Sequence, residues 1–580
     1  MTTVHVPQQP HHPDGPAPPE VLSVPPHASE ATRLLCGGVY LDPDYRDRVI
    51  DELYLHEQRF VAPSLGIDAA RVLAHALRAR RQELRWSAGI AGLWAVGMVV
   101  TGGLLAGLLL AGLLLGLAPW VRGGAQPPPP HRQLPASVLS WGGRVLFAVY
   151  AVLVVATAFG AGPGGSGSSS GSYGSYGSYG SSDLDGLGLP FVEAVDPWRA
   201  WLGIGVVVLV AWCATAQRDG FARVLGMELS PQHFPDVAND PAERGEGERF
   251  TRLMRRVRRE QHTPLIMYDE ERPFCGAGAA HDTWVLAVEL RPDEELKNRQ
   301  PLGNRVILDR VRPLIEQLRE PAEHASTPVR DRLRGLEIDE CVFLPVEGLT
   351  DRDQATYTTE AFGQHLLRAV EEGGEKRRHF LRVRVGAWGE ELGVTVYVRV
   401  HTQGRMLMLE IAPHVMPPVR REFKRADHVA HAVRTGPTLD RIVSAATLMP
   451  GSAGRALVSL FRGAVFGWRL LTGGHRSALP EGPALSVREL AATAAKSTFQ
   501  EMDVARYLRS IQDRVGHGVR LALADAGYET GEFVQKIVNI SNGAVSINRV
   551  EGSTFAIGEN SSATTGGPVP QRGASDDDGT

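Results

Sequence analysis

Lysine is nearly missing from this chain. Of 61 basic residues only five are Lys, at positions 297, 376, 424, 496 and 536. Arg clusters therefore weigh less here as selected phosphate sites than they would in a Lys-rich chain. Cysteine is scarce too. Cys36, Cys213, Cys275 and Cys341 lie far apart and no CxxC pair occurs, which argues against zinc fingers and disulfide frameworks and fits a reducing compartment. With a net charge of −4, no binding to nucleic acid is expected. No GxxxxGK[ST] loop is present, and "GAGAAHDTWV" is too loose for a dinucleotide fingerprint, so no cofactor is expected either. The opening "MTTVHVPQQPHHPDGPAPPE" has no charged region followed by an apolar one, unlike a signal peptide. Residues 1–30 read as a disordered Pro/His-rich tail in which His11 and His12 are solvated.

What the chain does have is long apolar runs. Residues 88–117 contain no charged side chain, and further runs cover 138–160 and 198–216. About 20 apolar residues span a bilayer core roughly 30 Å thick. The second and third runs each fit one crossing, and Trp198, Trp201 and Trp212 sit near the ends of the third, as interfacial aromatics do. The first run is too long for one upright helix, and Thr101-Gly102-Gly103 stands near its middle.

Flanking charge bears on the number of crossings. Arg78, Arg80, Arg81 and Arg85 precede the first run; Arg122, Arg132 and Arg144 lie in the first loop and at its border with the second run; Arg199 follows the Gly/Ser/Tyr-rich loop 161–197; Arg218 and Arg223 follow the third. Three crossings divide these Arg equally between the two sides. If 88–117 doubles back as a hairpin, nine of the ten fall on one side. The bias favours the hairpin, with one long tilted helix as the alternative. On the hairpin reading the asymmetry predicts a multi-pass protein of the cell membrane with both termini in the cytosol. Within the loop, Gly167 to Gly171 matches GxSxG by letter only, since neither the strand nor the helix of a nucleophile elbow adjoins it.

The remaining segments read as soluble. Residues 31–87 form cytosolic helices, with Asp42 before Pro43 and then Asp68 as caps; His56 and His75 are packing or surface residues. Residues 217–263 are a juxtamembrane basic segment carrying Arg252, Arg255, Arg256, Arg258 and Arg259, suited either to anionic headgroups or to a solvated helix face. Residues 264–440 are an α+β domain. Its clearest signal is the alternation Leu381, Val383, Val385 and then Val394, Val396, Val398, Val400, broken by Gly-containing turns, which predicts an antiparallel meander. The expected fold class is thus a membrane α-helical segment plus a cytosolic α+β domain, with disordered termini.

No catalytic or metal-binding set stands out. Asp339 and Glu340 are adjacent in a strand and face opposite ways. Cys341 needs a neighbouring base, His379, His401 and His414 fall at strand ends, and His428 with His431 lack a third ligand. The expectation leans away from an enzyme. A membrane-tethered enzyme or ligand sensor is the alternative, and it requires His379, His401 or Cys341 to converge on a pocket.

Residues 441–530 read as helical. Within 451–471, Arg455, Arg462 and Arg469 recur every seven residues and line one stripe, while Phe461, Trp468 and the Leu side chains fill the rest. That pattern suits a helix on a membrane surface, or one packed against the α+β domain. Ser486 and Glu489 have capping-box spacing, opening a helix to about Ala526 with a break at Gly516-His517-Gly518. Residues 531–560 read as a short β-rich motif with Val545, Ile547, Phe555 and Ile557 as its self-association residues; 561–580 read as disordered. Low charge, high β propensity and absence of Pro are ingredients of cross-β stacking. The core Phe555-Ala556-Ile557-Gly558 with Asn560 resembles bacterial amyloid signalling motifs of the RHIM type, departing from them in its Ala and in the spacing of its Asn. The whole arrangement, with its Arg, Ala, Gly and Pro bias, resembles multi-pass membrane proteins of Streptomyces-like actinobacteria. The resemblance implies no activity. The expected partners are the lipid bilayer and, through the tail, a second copy or another protein. A non-enzymatic membrane-anchored scaffold or signalling protein follows.

Overall fold

The structure, a computed structural model, describes residues 24–122, 129–160, 196–245, 247–293, 302–319, 333, 335–372, 374–435, 443, 445–473, 478–493 and 497–541. Side-chain caps set the first helices. Ser29 caps α1 (Glu30–Leu41), and the Asp42 carboxylate accepts from Asp44 N and Tyr45 N to start α2 (Pro43–Ile50). Asp68 does the same for α3 (Ala69–Val100). At 1.5 Å per residue the 32 residues of α3 run about 48 Å, long enough to join two cores. Its first turns pack with α1 and α2, whereas Ile90 and Trp94 belong to a separate apolar cluster.

That second cluster is a layer of helices: the far half of α3, α4 (Ala106–Arg122), α5 (Pro130–Ala158) and α6 (Pro197–Arg223). The chain reverses between α3 and α4 at the expected place. Thr101 Oγ1 donates to the Gly97 carbonyl at 2.7 Å, and Gly102 and Gly103 take φ of 62° and 90°, a conformation without cost only for glycine. Leu105 and Val206 then come to rest against Gly97. Further along, Gly107 abuts Tyr150, and Gly143 abuts Leu115 and Ala111, so α4 and α5 are antiparallel. Gly203 faces Leu105 and Thr101, so α6 starts at the reversal and returns alongside α3. The run 88–117 is therefore a helical hairpin. The segments His131–Ala158 and Pro197–Glu228 are long and apolar enough to cross a membrane, and Ala106–Pro119 is a shorter apolar helix.

The soluble body is built from distant pieces. Its helical core joins residues 31–79 and 224–257 with Val419, Phe423, Ala426, Ala430, Val487 and Ala491. It includes the apolar face of α7 (Glu248–Glu260), formed by Phe250, Met254 and Val257. The N-terminal helices are therefore part of the body and not a separate unit. The rest is a curled mixed sheet containing β1 (Leu265–Tyr268), β2 (Ala279–Ala280), β3 (Trp284–Glu289), β4 (Leu336–Pro345), β5 (Arg378–Ala387), β6 (Leu392–Gln403) and β7 (Met406–Met416). The order is β1-β4-β5-β6-β7, with β2 and β3 both on β7; β1 and β4 are parallel and the other pairs antiparallel. The predicted meander is β5-β6-β7, in which Leu381 pairs with Val398, Val383 with Val396 and Val385 with Val394. Their shared face is covered by α8 (Asn304–Glu316) and by a later helix, residues Thr498–Asp525, with α9 (Thr359–Glu372) at its margin.

C-terminal to the sheet come α10 (Arg421–Lys424), α11 (Ala426–Thr435), α12 (Ser452–Thr472), α13 (Val487–Leu490), α14 (Thr498–Asp525) and α15 (Gly531–Ser541). Here the sequence expectation needs three corrections. Ser486 makes no capping bond; Glu489 instead accepts from the amides of Gly276 and Gly278, and the capping box forms at Ser497 and Gln500. Gly516 and Gly518 do not break α14. They let it approach Ile537 and the Val311 backbone. Residues 531–541, read as the start of a β-rich motif, are helical, because Phe533 and Ile537, four residues apart, pack together on the sheet-domain core.

Candidate functional site: the junction of the helical layer and the soluble body

The amphipathic helix α12 links the two halves. Gly454 fits between Gly112 and Gly116 of α4, where no Cβ could be accommodated on any of the three, a small-residue crossing of the kind helices use in an apolar surrounding. Gly463 then meets Leu84, and Arg80 donates to the Arg462 carbonyl at 3.1 Å. Thus α12 runs antiparallel along α3, from the rim of the layer into the body. Its three Arg are treated unequally. Arg462 pairs with Asp44 at 3.2 Å and Arg469 with Asp51 at 3.1 Å. Among the described residues Arg455, at the rim, has no carboxylate partner and donates to the Leu448 carbonyl. Phe461 is 70 % exposed and Trp468 67 %, so the aromatic side of α12 is uncovered.

Beside Arg455 a cavity of about 310 Å³ opens between α1, α3, α6, α11 and α12. Its floor is apolar, with Ile90, Ala214 and Leu448; its polar lining includes Ser87, Gln217, Arg218, Ser452 and Arg455. Ser452 is 3 % exposed, yet its hydroxyl has no hydrogen-bond partner. Arg218 is exposed and forms no ion pair with the described residues. Glu83 also lines the cavity, but Arg46 and Ser459 already occupy it.

A buried polar chain lies further into the body. The Tyr40 hydroxyl bonds His75 Nδ1 at 3.2 Å, and His75 Nε2 meets Asp240 Oδ2 at 3.0 Å. Arg71 donates to the same carboxylate at 2.8 and 3.0 Å, while its guanidinium lies 3.8 Å from the Phe234 ring centre. Burial opposes the Asp240 charge, but the bonds from His75 and Arg71 outweigh it and hold the carboxyl far below its ordinary range. His75 is thus a packing histidine that also fastens the loop after α6 to α1 and α3. Only its position in a helix was legible from the sequence.

The chemically promising residues of the sheet stay apart. Glu340 faces the α8 side with His379 at 3.1 Å and Arg305 at 2.7 Å. Burial raises its pKa, yet these bonds bring it down to about 2. Asp339 bonds Arg382 on the opposite face, as adjacent strand positions require. Cys341 is fully buried and its thiol is pushed up to about 12 by that burial. His414 stacks on Phe274, and burial lowers it to about 4. His401 lies near Glu410 on that same face, remote from His379. Among the described residues no group of three or more His, Cys, Asp or Glu could hold a metal ion.

The basic run of α7 lies at the start of α3, where Arg258 reaches Asp68 and Glu243. This is some 18 residues, or about 27 Å of helix, away from the apolar layer. The tail residues Val545, Ile547, Phe555 and Ile557, the loop 161–195 and residues 1–23 and 561–580 lie outside the described residues.

Residues 283–556 match a family model, the AbeC-like domain. The AbeC-like stretch opens one residue before β3, takes in the meander, α12 and α14, and reaches Phe555 but not Ile557. It leaves out β1, the N-terminal helices and the apolar layer. No curated protein and no solved structure matches the chain.

Proposed function

We propose that this chain is a multi-pass membrane protein serving as a non-enzymatic scaffold or signalling anchor. The helical layer sits in the bilayer, the soluble body lies on the cytosolic face, and segment 542–560 offers itself to a second copy or to another protein. One observation carries the membrane part. The outer faces of α5 and α6 expose Val138, Trp141, Val152, Val208 and Trp212, and the apolar windows of these helices are only 17 % and 22 % buried. A core helix of a water-soluble protein would be mostly buried. Four antiparallel helices would return the chain to the side it left; Arg78, Arg80, Arg81, Arg85, Arg122, Arg132, Arg218 and Arg223 flank that side, while Arg144 lies within α5 and Arg199 opposite, a bias that supports a cytosolic assignment by the positive-inside rule. Phe461, less than two turns of α12 beyond Arg455, then meets the bilayer surface, with Arg455 as the cation of the stripe that has no carboxylate among the described residues. For the tail, low charge and β-branched alternation support self-association.

Single-cysteine chains test the topology, with labels at Ser169→Cys in the loop and Glu501→Cys on α14. An impermeant maleimide is expected to reach the loop site on intact cells and the α14 site only after lysis. Labelling of the α14 site from outside would overturn the arrangement, as would a chain that stays dissolved without detergent. For the tail, the full chain carrying Phe555→Asp and Ile557→Asp is expected to lose higher oligomers in light scattering. Unchanged oligomers would remove self-association from the proposal.

A further inference from the structure

The cavity beside Arg455 combines features that ordinary packing leaves unexplained. Two guanidinium groups, Arg455 and Arg218, line it without a carboxylate partner among the described residues, and the one carboxylate in its described lining, Glu83, is occupied by Arg46 and Ser459. The buried Ser452 hydroxyl has no partner, although a buried polar group ordinarily finds one. Ser452 also opens α12, whose N-terminus is capped by no side chain, so the positive end of the helix adjoins the same space. The floor is apolar, through Ile90, Ala214 and Leu448, and the cavity of about 310 Å³ lies where the apolar layer meets the body. An anion alone would satisfy the polar lining and leave this floor empty. A molecule with a phosphate at one end and a hydrocarbon chain at the other satisfies both.

We propose that this cavity is a binding site for an anionic phospholipid of the leaflet facing the soluble body. The headgroup phosphate lies between Arg455, Arg218 and the Ser452 hydroxyl, and the start of an acyl chain lies along Ile90 and Leu448. The site rests on the membrane reading given above. It deepens that reading, since α12 would then join the layer to the body around a lipid.

The test uses the full chain in detergent, titrated with phosphatidylglycerol, phosphatidylcholine or glycerol 3-phosphate and followed by native mass spectrometry and melting temperature. Phosphatidylglycerol is expected to bind one to one and to raise the melting temperature, with little effect from the other two. The double variant Arg455→Gln/Arg218→Gln is expected to weaken phosphatidylglycerol binding by about thirtyfold. Arg455→Lys is expected to stay within several-fold of the parent, and Arg81→Gln, exposed at a neighbouring turn of α3, to match it. Equal binding by the parent and the double variant overturns the site. An equal response to glycerol 3-phosphate assigns it to a soluble phosphate and overturns the lipid. If the double variant unfolds, Ser452→Ala decides: it must bind the lipid less tightly while melting like the parent without lipid, and unchanged binding overturns the proposal. Failure here leaves the maleimide topology intact, whereas failure of the membrane reading appears as a chain soluble without detergent.

Discussion

The helical layer and the soluble body both bury apolar side chains, but the layer also turns many large ones outward. In the body, large apolar side chains such as Leu35, Ile50, Tyr397 and Phe423 are inside, and charged groups pair around them, as Arg33 does with Asp427 and Arg305 with Glu340. In the layer the contacts between helices are made at Gly97, Gly107, Gly116 and Gly203, while Val99, Trp141, Val152 and Trp212 point outward. A body in water gains stability by withdrawing apolar surface from it. On the membrane reading proposed above, the layer gains nothing that way, and close approach at small residues takes over. The junction has to serve both regimes, which is why α12 begins with a glycine crossing and ends in ion pairs.

The largest effect is expected where the body is fastened together. Asp240→Ala leaves the Arg71 guanidinium, itself 1 % exposed, with only the His27 carbonyl and the Phe234 face. Removing one partner of a buried ion pair costs about 3–5 kcal/mol. Denaturant unfolding of the full chain in detergent should show that loss in the body signal. A loss below about 1 kcal/mol would mean that the Tyr40, His75, Asp240 and Arg71 chain does not hold the body to α3.

A matched pair of substitutions addresses the contrast directly. Val152 on α5 is 69 % exposed and Val285 on β3 is 48 % exposed. If the layer faces lipid, Val152→Arg costs about 2.5–3.5 kcal/mol, whereas Val285→Arg on a water-facing strand stays within about 0.5 kcal/mol. Membrane-insertion efficiency and thermal melting of the two variants measure the difference. Equal, small effects would end the distinction between the regions.

The sequence made this contrast legible because it is local. Charge-free runs, the Thr101-Gly102-Gly103 reversal, the Asp42 and Asp68 caps and the period of two in β5 and β6 are all written within a few residues. What escaped it depends on distant partners. Nothing near Leu265 announces a parallel pairing with Val342, and the helical core unites residues 31–79 with Phe423 and Val487. Ser486 and Glu489 have the right spacing for a capping box, but Glu489 is drawn away by the amides of Gly276 and Gly278. The junction cavity was hidden for the same reason, since its lining comes from α1, α3, α6, α11 and α12. Its one local sign was the heptad spacing of Arg455, Arg462 and Arg469, which could not tell that two of the three would find carboxylates.

The smallest expected effect is a difference in acid response. Glu340 titrates at about 2 in the folded body against an ordinary 4.5. A depressed carboxyl pKa contributes stability that is complete above about pH 4.5 and is lost as the pH falls towards 2. Its partner Arg305 is 44 % exposed, so water screens the pair and the contribution is about 1 kcal/mol. Glu340→Gln should therefore flatten this part of the acid limb in the stability of the body. The helices α4 and α5 contain no Asp or Glu, and between pH 4.5 and 2 their circular-dichroism melting should hold still while that of the sheet declines. An acid limb of equal size in both regions would mean that the carboxylate-free helices α4 and α5 and the ion-paired body unfold as one unit, joined through α12 more tightly than their separate cores suggest.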